Sequence, residues 1–470
     1  MTEDATALAE AIRVGSLSAS DAMRASLRAA VDHEALGAIA HLDPEMGESA
    51  ARAMDRERAL APQLFLERPF GGVPTLAKDL GGPFAGLPVA AGSALFGRAP
   101  SSADSDLAER FRKAGFCPFG LTTSPEFGLS LASEPAAGPL CRNPLDPSRT
   151  SGGSSGGAAA AVAAGIVPIA HATDAGGSIR VPAACCGLVG LKPGRGVMPA
   201  GPAFGNHLGG IASELVVARS VRDISAVLAA LGGEARGPFA DVAPIPLGDG
   251  PLQVGVLLQT GDAHPTSPER VDTVLAAACS LESMGHALTE LDWIAFENMV
   301  AASGRVFGDI VSVNLAAWLD AVGIDIADAE PLTRAFVARG RAMGGTALWD
   351  SLNAGVLVSR DLWRLFDDVD VIVMPMLAEA PLPVGSFPTD HDDTERHLDR
   401  MARFSPLAAL ANISGFPAIT LPFGADEDGL PLPIQMVAPP GREPLLLSLA
   451  ARLEAEGRWQ HRFPVAGLAA

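Results

Sequence analysis

Thr150–Lys192 reads TSGGSSGGAAAAVAAGIVPIAHATDAGGSIRVPAACCGLVGLK, and this stretch decides the fold. The glycines of residues 152–157 permit backbone angles that other residues avoid, so the chain there can approach a ligand or side chain closely. Residues 158–164 are nearly all alanine, which predicts a helix ended by a left-handed Gly165. The apolar run Ile166–Ala172 predicts a buried strand. The stretch is therefore interpreted as a helix-strand unit.

Two glycine-flanked serines, Ser154 and Ser178, lie 24 residues apart on either side of this unit. Ser178 follows a small-residue turn and is predicted to open a second helix. A serine at such a strand-to-helix turn exposes its hydroxyl, and the first N–H groups of a helix have no partner within the helix. Free donors of this kind can hold an oxyanion. The pattern therefore predicts a catalytic site.

A serine is a poor nucleophile near neutral pH and needs a base. His171 and Asp174 lie nearby, and Lys78 lies upstream in GGVPTLAKDL (71–80). The apolar neighbours of Lys78 predict that it is buried, and burial lowers the pKa of a lysine because desolvation disfavours the ammonium. Ser-Lys pairs are a known variant of the serine triad. His171 is predicted to be a packed structural residue instead.

Two other interpretations of the glycine-rich stretch are weaker. A flexible Gly/Ser linker would not alternate with an alanine-rich helix and an Ile/Val strand. A phosphate-binding loop of the GxxxxGK[ST] type needs a lysine inside the loop, and residues 150–157 contain none. Cys185 and Cys186 are predicted to be buried as small hydrophobic residues.

These segments resemble the amidase signature family of serine amide hydrolases. Within the family, the sequence of these motifs most resembles the branch of 6-aminohexanoate cyclic dimer hydrolase and related bacterial amidases. The resemblance covers nearly the whole chain. The segments that carry it are GVPTLAKD, CRNPLDPSRTSGG, GGSSGG, TDAGGSIR with PAACCGLVGLKP, ARSVRD (218–223), VDVIVMP (369–375), NISGFPAITLP (412–422) and GLPLPIQMV (429–437).

The resemblance implies a Ser-cisSer-Lys triad, in which Ser178 is the nucleophile and Ser154, after a cis bond, bridges it to Lys78. Ser155, Asp174 and Arg180 would support the site through hydrogen bonds or an ion pair. The oxyanion would be held by the backbone N–H groups of Ala175, Gly176, Gly177 and Ser178.

The resemblance also implies an α/β fold, a single compact unit with a mixed central β-sheet covered by helices on both faces. One amidase domain would span 1–470, with an N-terminal helical segment (1–64), a catalytic core (65–230) and a C-terminal α/β part (252–470) that completes the sheet and pocket. Ser18 or Ser20 is predicted to start a helix. Residues 252–290 predict a strand and then a helix, whereas 232–251 and 379–399 are predicted to be loops.

The implied function is hydrolysis of a small-molecule carboxamide, or of a cyclic or linear amide, through an acyl-enzyme. The alternative is a glutaminase of the kind found in tRNA-dependent amidotransferases, which supplies ammonia to a partner. Glutamine typically follows SIR in that class, and Val181 stands there instead, which favours a hydrolase. A non-catalytic scaffold would tolerate loss of Lys78, Ser154 or Ser178, yet all three are present.

A net charge of −20 argues against unaided binding to nucleic acid or to an anionic membrane. No apolar run reaches the roughly 18 residues of a membrane span, and five scattered cysteines are typical of a reducing compartment. We therefore expect a cytoplasmic enzyme with no cofactor. The family resemblance implies a homodimer as the candidate assembly. A metal site at His391 and His397 is disfavoured because no ligand spacing supports it. Candidate pocket residues are Phe127, Phe204, Asn206, His207 and the 377–400 loop.

Overall fold

The computed structural model describes residues 3–201, 207–237, 239–248 and 250–468. Its strands are β1 (Ile39–Leu42), β2 (Pro74–Lys78), β3 (Cys117–Thr122), β4 (Arg142–Asn143), β5 (Asp146–Thr150), β6 (Ile169–Asp174), β7 (Val189–Lys192), β8 (Ser213–Ala218), β9 (Gln253–Val256), β10 (Ala287–Glu290), β11 (Val371–Pro375), β12 (Ala418–Ala425) and β13 (Pro431–Val437). Within the described residues, eleven of them form one sheet in the order β1-β3-β2-β6-β8-β7-β12-β13-β11-β9-β10. The sheet contains both parallel and antiparallel pairs, which confirms the predicted mixed α/β sheet.

Helices cover both faces of this sheet. They are α1 (Ala5–Val14), α2 (Ala19–Asp32), α3 (Pro44–Leu60), α4 (Pro62–Leu66), α5 (Asp106–Lys113), α6 (Gly156–Ala163), α7 (Arg180–Cys186), α8 (His207–Gly210), α9 (Val221–Leu231), α10 (Pro268–Ser283), α11 (Glu297–Val322), α12 (Pro331–Ala342), α13 (Gly345–Leu365), α14 (Thr394–Phe404), α15 (Ala408–Ser414) and α16 (Glu443–Glu454). Among the described residues, none of these helices combines the length and the apolar character needed to cross a membrane.

The pairing of β2 with β6 positions the functional residues. The two strands are parallel, with Leu76 opposite Ala170, so their carboxyl ends meet at one edge of the sheet. Lys78 ends β2 and Asp174 ends β6. Helix α6 packs on both strands and is buried along its whole length. The two serine loops, which flank α6 and β6, are therefore brought to the edge where Lys78 lies.

Several local predictions are confirmed. Ser18 caps α2 by accepting the N–H of Asp21, Gly165 is left-handed at φ 76°, and Cys185 and Cys186 are buried in the core. The strand and helix expected after residue 252 are β9 and α10, but the end of the predicted helix is strand β10 (Ala287–Glu290).

Three boundaries differ from the sequence prediction. The buried strand begins at Ile169 and not at Ile166, because Ile166 N–H still bonds to Ala161 in the helix end and Pro168 has no N–H to donate. The segment 379–399, predicted as a loop, contains the start of α14, capped by Asp393. The segment 1–64, predicted as helical, also contains β1, which pairs with β3 at the sheet edge.

Candidate active site

The Lys78 amine lies inside the protein between two hydroxyl groups. Its Nζ is 2.7 Å from Ser154 Oγ and 2.8 Å from Thr173 Oγ1, and the residue is 1% exposed. Burial lowers the pKa of Lys78 to about 7, against the opposing attraction of the Asp174 and Glu214 carboxylates. A large fraction of this amine is therefore uncharged near neutral pH, as a base requires.

His171 lies directly beside Lys78 and holds the lysine backbone. Its Nδ1 accepts the Lys78 N–H at 3.2 Å, which leaves the ring proton on Nε2, 3.2 Å from Glu214 Oε1. The ring also packs against Phe84 and Phe111. The prediction of a packed structural histidine is confirmed, because both ring nitrogens are occupied away from the serines.

The loop that carries Ser154 approaches its neighbours closely. The Gly153–Ser154 peptide bond is cis. The backbone at Gly128 passes so near that a methyl group there would lie 3.2 Å from Ser154 Oγ. Ser133 donates to the Ser154 carbonyl at 3.2 Å and accepts the N–H of Gly156 at 2.9 Å. These contacts fix the serine loop at the start of α6.

Ser155 connects the serine loop to the adjacent strand. Its hydroxyl donates to the Thr173 carbonyl at 3.2 Å and accepts the Thr173 N–H at 3.3 Å. Thr173 in turn places its own hydroxyl on the Lys78 amine. The loop, the strand and the lysine are therefore bonded in one continuous network.

Asp174 organises the turn that precedes Ser178. One carboxylate oxygen accepts the Gly177 N–H at 2.7 Å, and the other accepts the Ile179 N–H at 3.1 Å and Arg180 Nε at 2.9 Å. Burial disfavours this carboxylate, yet the charge and hydrogen bonds of Arg180 hold the pKa of Asp174 below its usual range. Asp174 is therefore ionised and clamps the turn from inside.

The Gly177 contact changes which N–H groups of the turn are available. Since Gly177 donates to Asp174, it is engaged in holding the turn. In the described part of the chain, no hydrogen bond is made by the N–H groups of Ala175, Gly176 or Ser178. Among the described residues, three of the four predicted oxyanion donors therefore have no hydrogen-bond partner.

The residues that surround Arg180 were not predicted from the sequence. This fully buried guanidinium donates to Gln435 Oε1 at 2.7 Å, to Asn412 Oδ1 at 2.6 Å and to the Ala408 carbonyl at 2.9 Å. Asn412 also donates to the Asp174 carbonyl at 3.0 Å. Gln435 and Asn412 lie in the segments GLPLPIQMV and NISGFPAITLP, so their position in those segments was the available signal.

A second buried lysine, Lys192, ends β7 near the Asp174–Arg180 ion pair. Its Nζ donates to the Pro193 carbonyl at 2.7 Å. Burial lowers the pKa of Lys192 to about 7, as does the nearby charge of Arg180. Within the described residues this amine makes no hydrogen bond to Ser154 or Ser178, so Lys78 alone of the two has the geometry of a base for them.

Ser178 and Gly176 line a cleft together with residues of helices α11 and α14. Among the described residues, no Asp, Glu, Lys or Arg lines this cleft. Helices α11 and α14 form its walls, and Leu398 comes from the 377–400 segment expected at the pocket rim. Phe127 packs instead against Phe96 and Trp318.

Three other candidate pocket residues fall where the structure is not described. Phe204 and Asn206 lie outside the described residues, and so does the side chain of His207. His397 is buried, and its Nε2 forms a hydrogen bond with the Leu129 carbonyl at 3.0 Å.

Known proteins are similar to this chain in sequence and in architecture. A sequence model of the amidase family matches residues 21–447. A putative amidase AmiC of Mycobacterium tuberculosis is 34% identical over 469 residues, covering 97% of this chain and 95% of that protein. The 6-aminohexanoate-cyclic-dimer hydrolase of Paenarthrobacter ureafaciens is 31% identical over 507 residues, covering 98% and 96%.

A solved structure of 6-aminohexanoate cyclic dimer hydrolase with its substrate superposes with a TM-score of 0.88 at 31% identity, covering 98% of both chains. The predicted resemblance, including its narrower branch, is therefore confirmed. The family match spans most of the sequence, and the similarity to these hydrolases extends from one end of the described fold to the other. The chain accordingly belongs to the amidase signature family and is a hydrolase that acts on amides.

Proposed function

We propose that this protein hydrolyses a small-molecule carboxamide, or a cyclic or linear amide, through an acyl-enzyme on Ser178. The single observation that carries the proposal is the buried Lys78 amine, 2.7 Å from Ser154 Oγ. An uncharged amine in this position keeps a lone pair for the serine proton while it donates to Thr173. Such a group can act as a general base near neutral pH.

In the proposed relay, Lys78 takes the proton of Ser154 as Ser154 takes the proton of Ser178. The Ser178 oxygen then forms a bond to the amide carbonyl carbon, and the carbonyl oxygen becomes an oxyanion. When the C–N bond breaks, the proton returns through Ser154 to the leaving nitrogen. A water molecule attacks the acyl-enzyme by the same relay and releases the carboxylic acid and free Ser178.

The oxyanion is held in this proposal by the N–H groups of Ala175, Gly176 and Ser178. Oriented donors that need no reorganisation lower the barrier because they meet the charge only as it develops. Asp174 and Arg180 support these donors by fixing the turn, with the Gly177 N–H bonded to Asp174. Ser155 supports the relay by joining the Ser154 loop to Thr173.

The acyl-enzyme is tested by trapping. The enzyme is mixed with p-nitrophenyl butyrate, quenched in acid and measured by intact mass and peptide mapping. We expect one butyryl group on Ser178 and none in Ser178→Ala. The matched control is Ser303, a buried serine of α11 whose hydroxyl donates to the Met299 carbonyl. The Ser303→Ala variant should still carry one butyryl group on Ser178. Amide hydrolysis that persists in Ser178→Ala would contradict the proposal.

The pH profile tests the base. Because only the uncharged amine can accept a proton, kcat/KM should be low in acid, rise through an apparent pKa of about 7 and level off above it. The Glu214 carboxylate raises the pKa of Lys78, so Glu214→Gln should move the rise to lower pH. A profile measured with a neutral amide that is flat from pH 5 to 9, in buffers of equal ionic strength, would exclude Lys78 as the base.

A further inference from the structure

One wall of the cleft is a single face of helix α11. Val300, Gly304 and Phe307 follow one another at spacings of four and three residues, and all three line the same cleft as Ser178. Residues at these spacings lie on the same side of a helix. The wall therefore presents two apolar side chains with a glycine between them.

Gly176 and Gly304, which line the cleft, and Gly308 of α11 differ in what a side chain would meet. At Gly176 a methyl group would come within 2.8 Å of the Phe307 ring, and at Gly308 within 2.7 Å of Leu398 Cδ1. At either position a side chain would require the neighbouring side chain to shift. At Gly304 a methyl group would meet no atom within 4 Å. Close packing therefore does not account for the glycine at 304.

The space at Gly304 belongs to the cleft. Leu398 of α14 closes against α11 at Gly308, one turn further on, and Met401 of α14 also lines the cleft. The cleft therefore runs between Val300 and Phe307 over a bare stretch of helix backbone. In the described part of the chain its lining is uncharged, so a carboxylate or ammonium on the substrate would be desolvated there without a partner.

We propose that Gly304 determines which amides the enzyme accepts, by leaving a notch in the α11 wall that receives the apolar acyl chain of the substrate. This inference rests on the proposed function, since it assumes that the acyl carbonyl sits at Ser178. Apolar burial in the notch favours longer acyl chains, because each methylene removed from water adds to binding. A side chain at 304 fills the notch and excludes them.

The test uses a series of p-nitroanilides that share one leaving group and differ in acyl length from acetyl to decanoyl. For the parent enzyme, kcat/KM should rise with chain length beyond acetyl. In Gly304→Leu the value for the longest accepted chain should fall by about tenfold or more relative to acetyl, the scale on which a pocket discriminates by methylene groups. Gly304→Ala should shift the profile the same way by a smaller factor.

The matched control is Gly355→Ala. Gly355 also lies inside a long helix, α13, where a methyl group would make only an ordinary contact at 3.5 Å with Ile413. Alanine should raise the melting temperature at both positions because it favours helix over glycine, but only the change at Gly304 should alter the chain-length profile. Retained melting temperatures also show that the Gly304 variants are folded.

The outcomes separate this inference from the proposed function. If the parent is active, two results overturn the role of Gly304 alone. In the first, Gly304→Leu has the same chain-length profile as the parent. In the second, its kcat/KM falls by the same factor for every chain length. A parent that prefers acetyl to every longer chain also overturns it. A parent that hydrolyses none of the anilides, and that forms no acyl group on Ser178 with p-nitrophenyl butyrate, overturns the proposed function and this inference together.

Discussion

Lys78→Met should lower kcat/KM by on the order of 10⁴-fold or more, as loss of the proton acceptor does in other serine hydrolases. Methionine is similar in size to the buried lysine and carries no charge, so the fold should persist. The substitution removes the Nζ atom that lies 2.7 Å from Ser154 Oγ. Within the described site, no other amine with a lowered pKa contacts Ser154. Steady-state kinetics with one amide measure the change in kcat/KM. Far-ultraviolet circular dichroism of both proteins shows whether the variant is folded.

The chain offers a matched control because it contains only three lysines, Lys78, Lys113 and Lys192. Lys113 is exposed at the end of α5. Lys113→Met makes the same chemical change on the surface, and its kcat/KM should stay within about twofold of the parent, as for most surface substitutions. A folded Lys78→Met enzyme that retains more than about a tenth of the parental kcat/KM would show that another group accepts the serine proton.

Arg180→Met should destabilise the protein by about 3–5 kcal/mol, the usual result of removing one partner from a buried ion pair. Both side chains of the Asp174–Arg180 pair are 0% exposed, and the guanidinium also satisfies Gln435 and Asn412. Methionine leaves the Asp174 carboxylate buried without its counter-charge. The free energy of unfolding is measured in urea at pH 7 by circular dichroism.

An exposed arginine supplies the comparison for this measurement. Arg364 pairs with Asp361 on the surface, where the two side chains are 65% and 46% exposed. Surface pairs of this kind contribute about 0–1 kcal/mol, so Arg364→Met should leave the unfolding free energy nearly unchanged. If Arg180→Met lowers the free energy of unfolding no more than Arg364→Met does, then the buried Asp174–Arg180 ion pair does not stabilise the protein.

The local parts of the site could be predicted from sequence because their signals are short-range. Glycines, an alanine run and an apolar run predicted the order of turn, helix, strand and turn around Ser154 and Ser178. The apolar neighbours of Lys78 predicted its burial. The starting residue of the strand was wrong by three positions, since the sequence did not show that the helix end at Ile166 and the missing N–H of Pro168 would delay it.

The long-range parts could not be predicted in the same way. Gln435 is 255 residues from Arg180 and Asn412 is 232 residues away, and nothing in the local pattern links either residue to a buried arginine. The α11 wall presents a similar problem. The choice of Val300, Gly304 and Phe307 as the helix face that lines the cleft with Ser178 depends on how α11 packs beside α14.

The complete burial of α6 limits how this enzyme can diversify. A methyl group on Gly156 would collide with the hydroxyls of Ser133 and Ser151, and one on Gly157 with the backbone at Thr123 and Ala38. Enlarging either glycine would displace the reactive loop itself. New specificities should therefore arise by exchange of side chains on α11 and α14, which line the cleft without forming the serine loop.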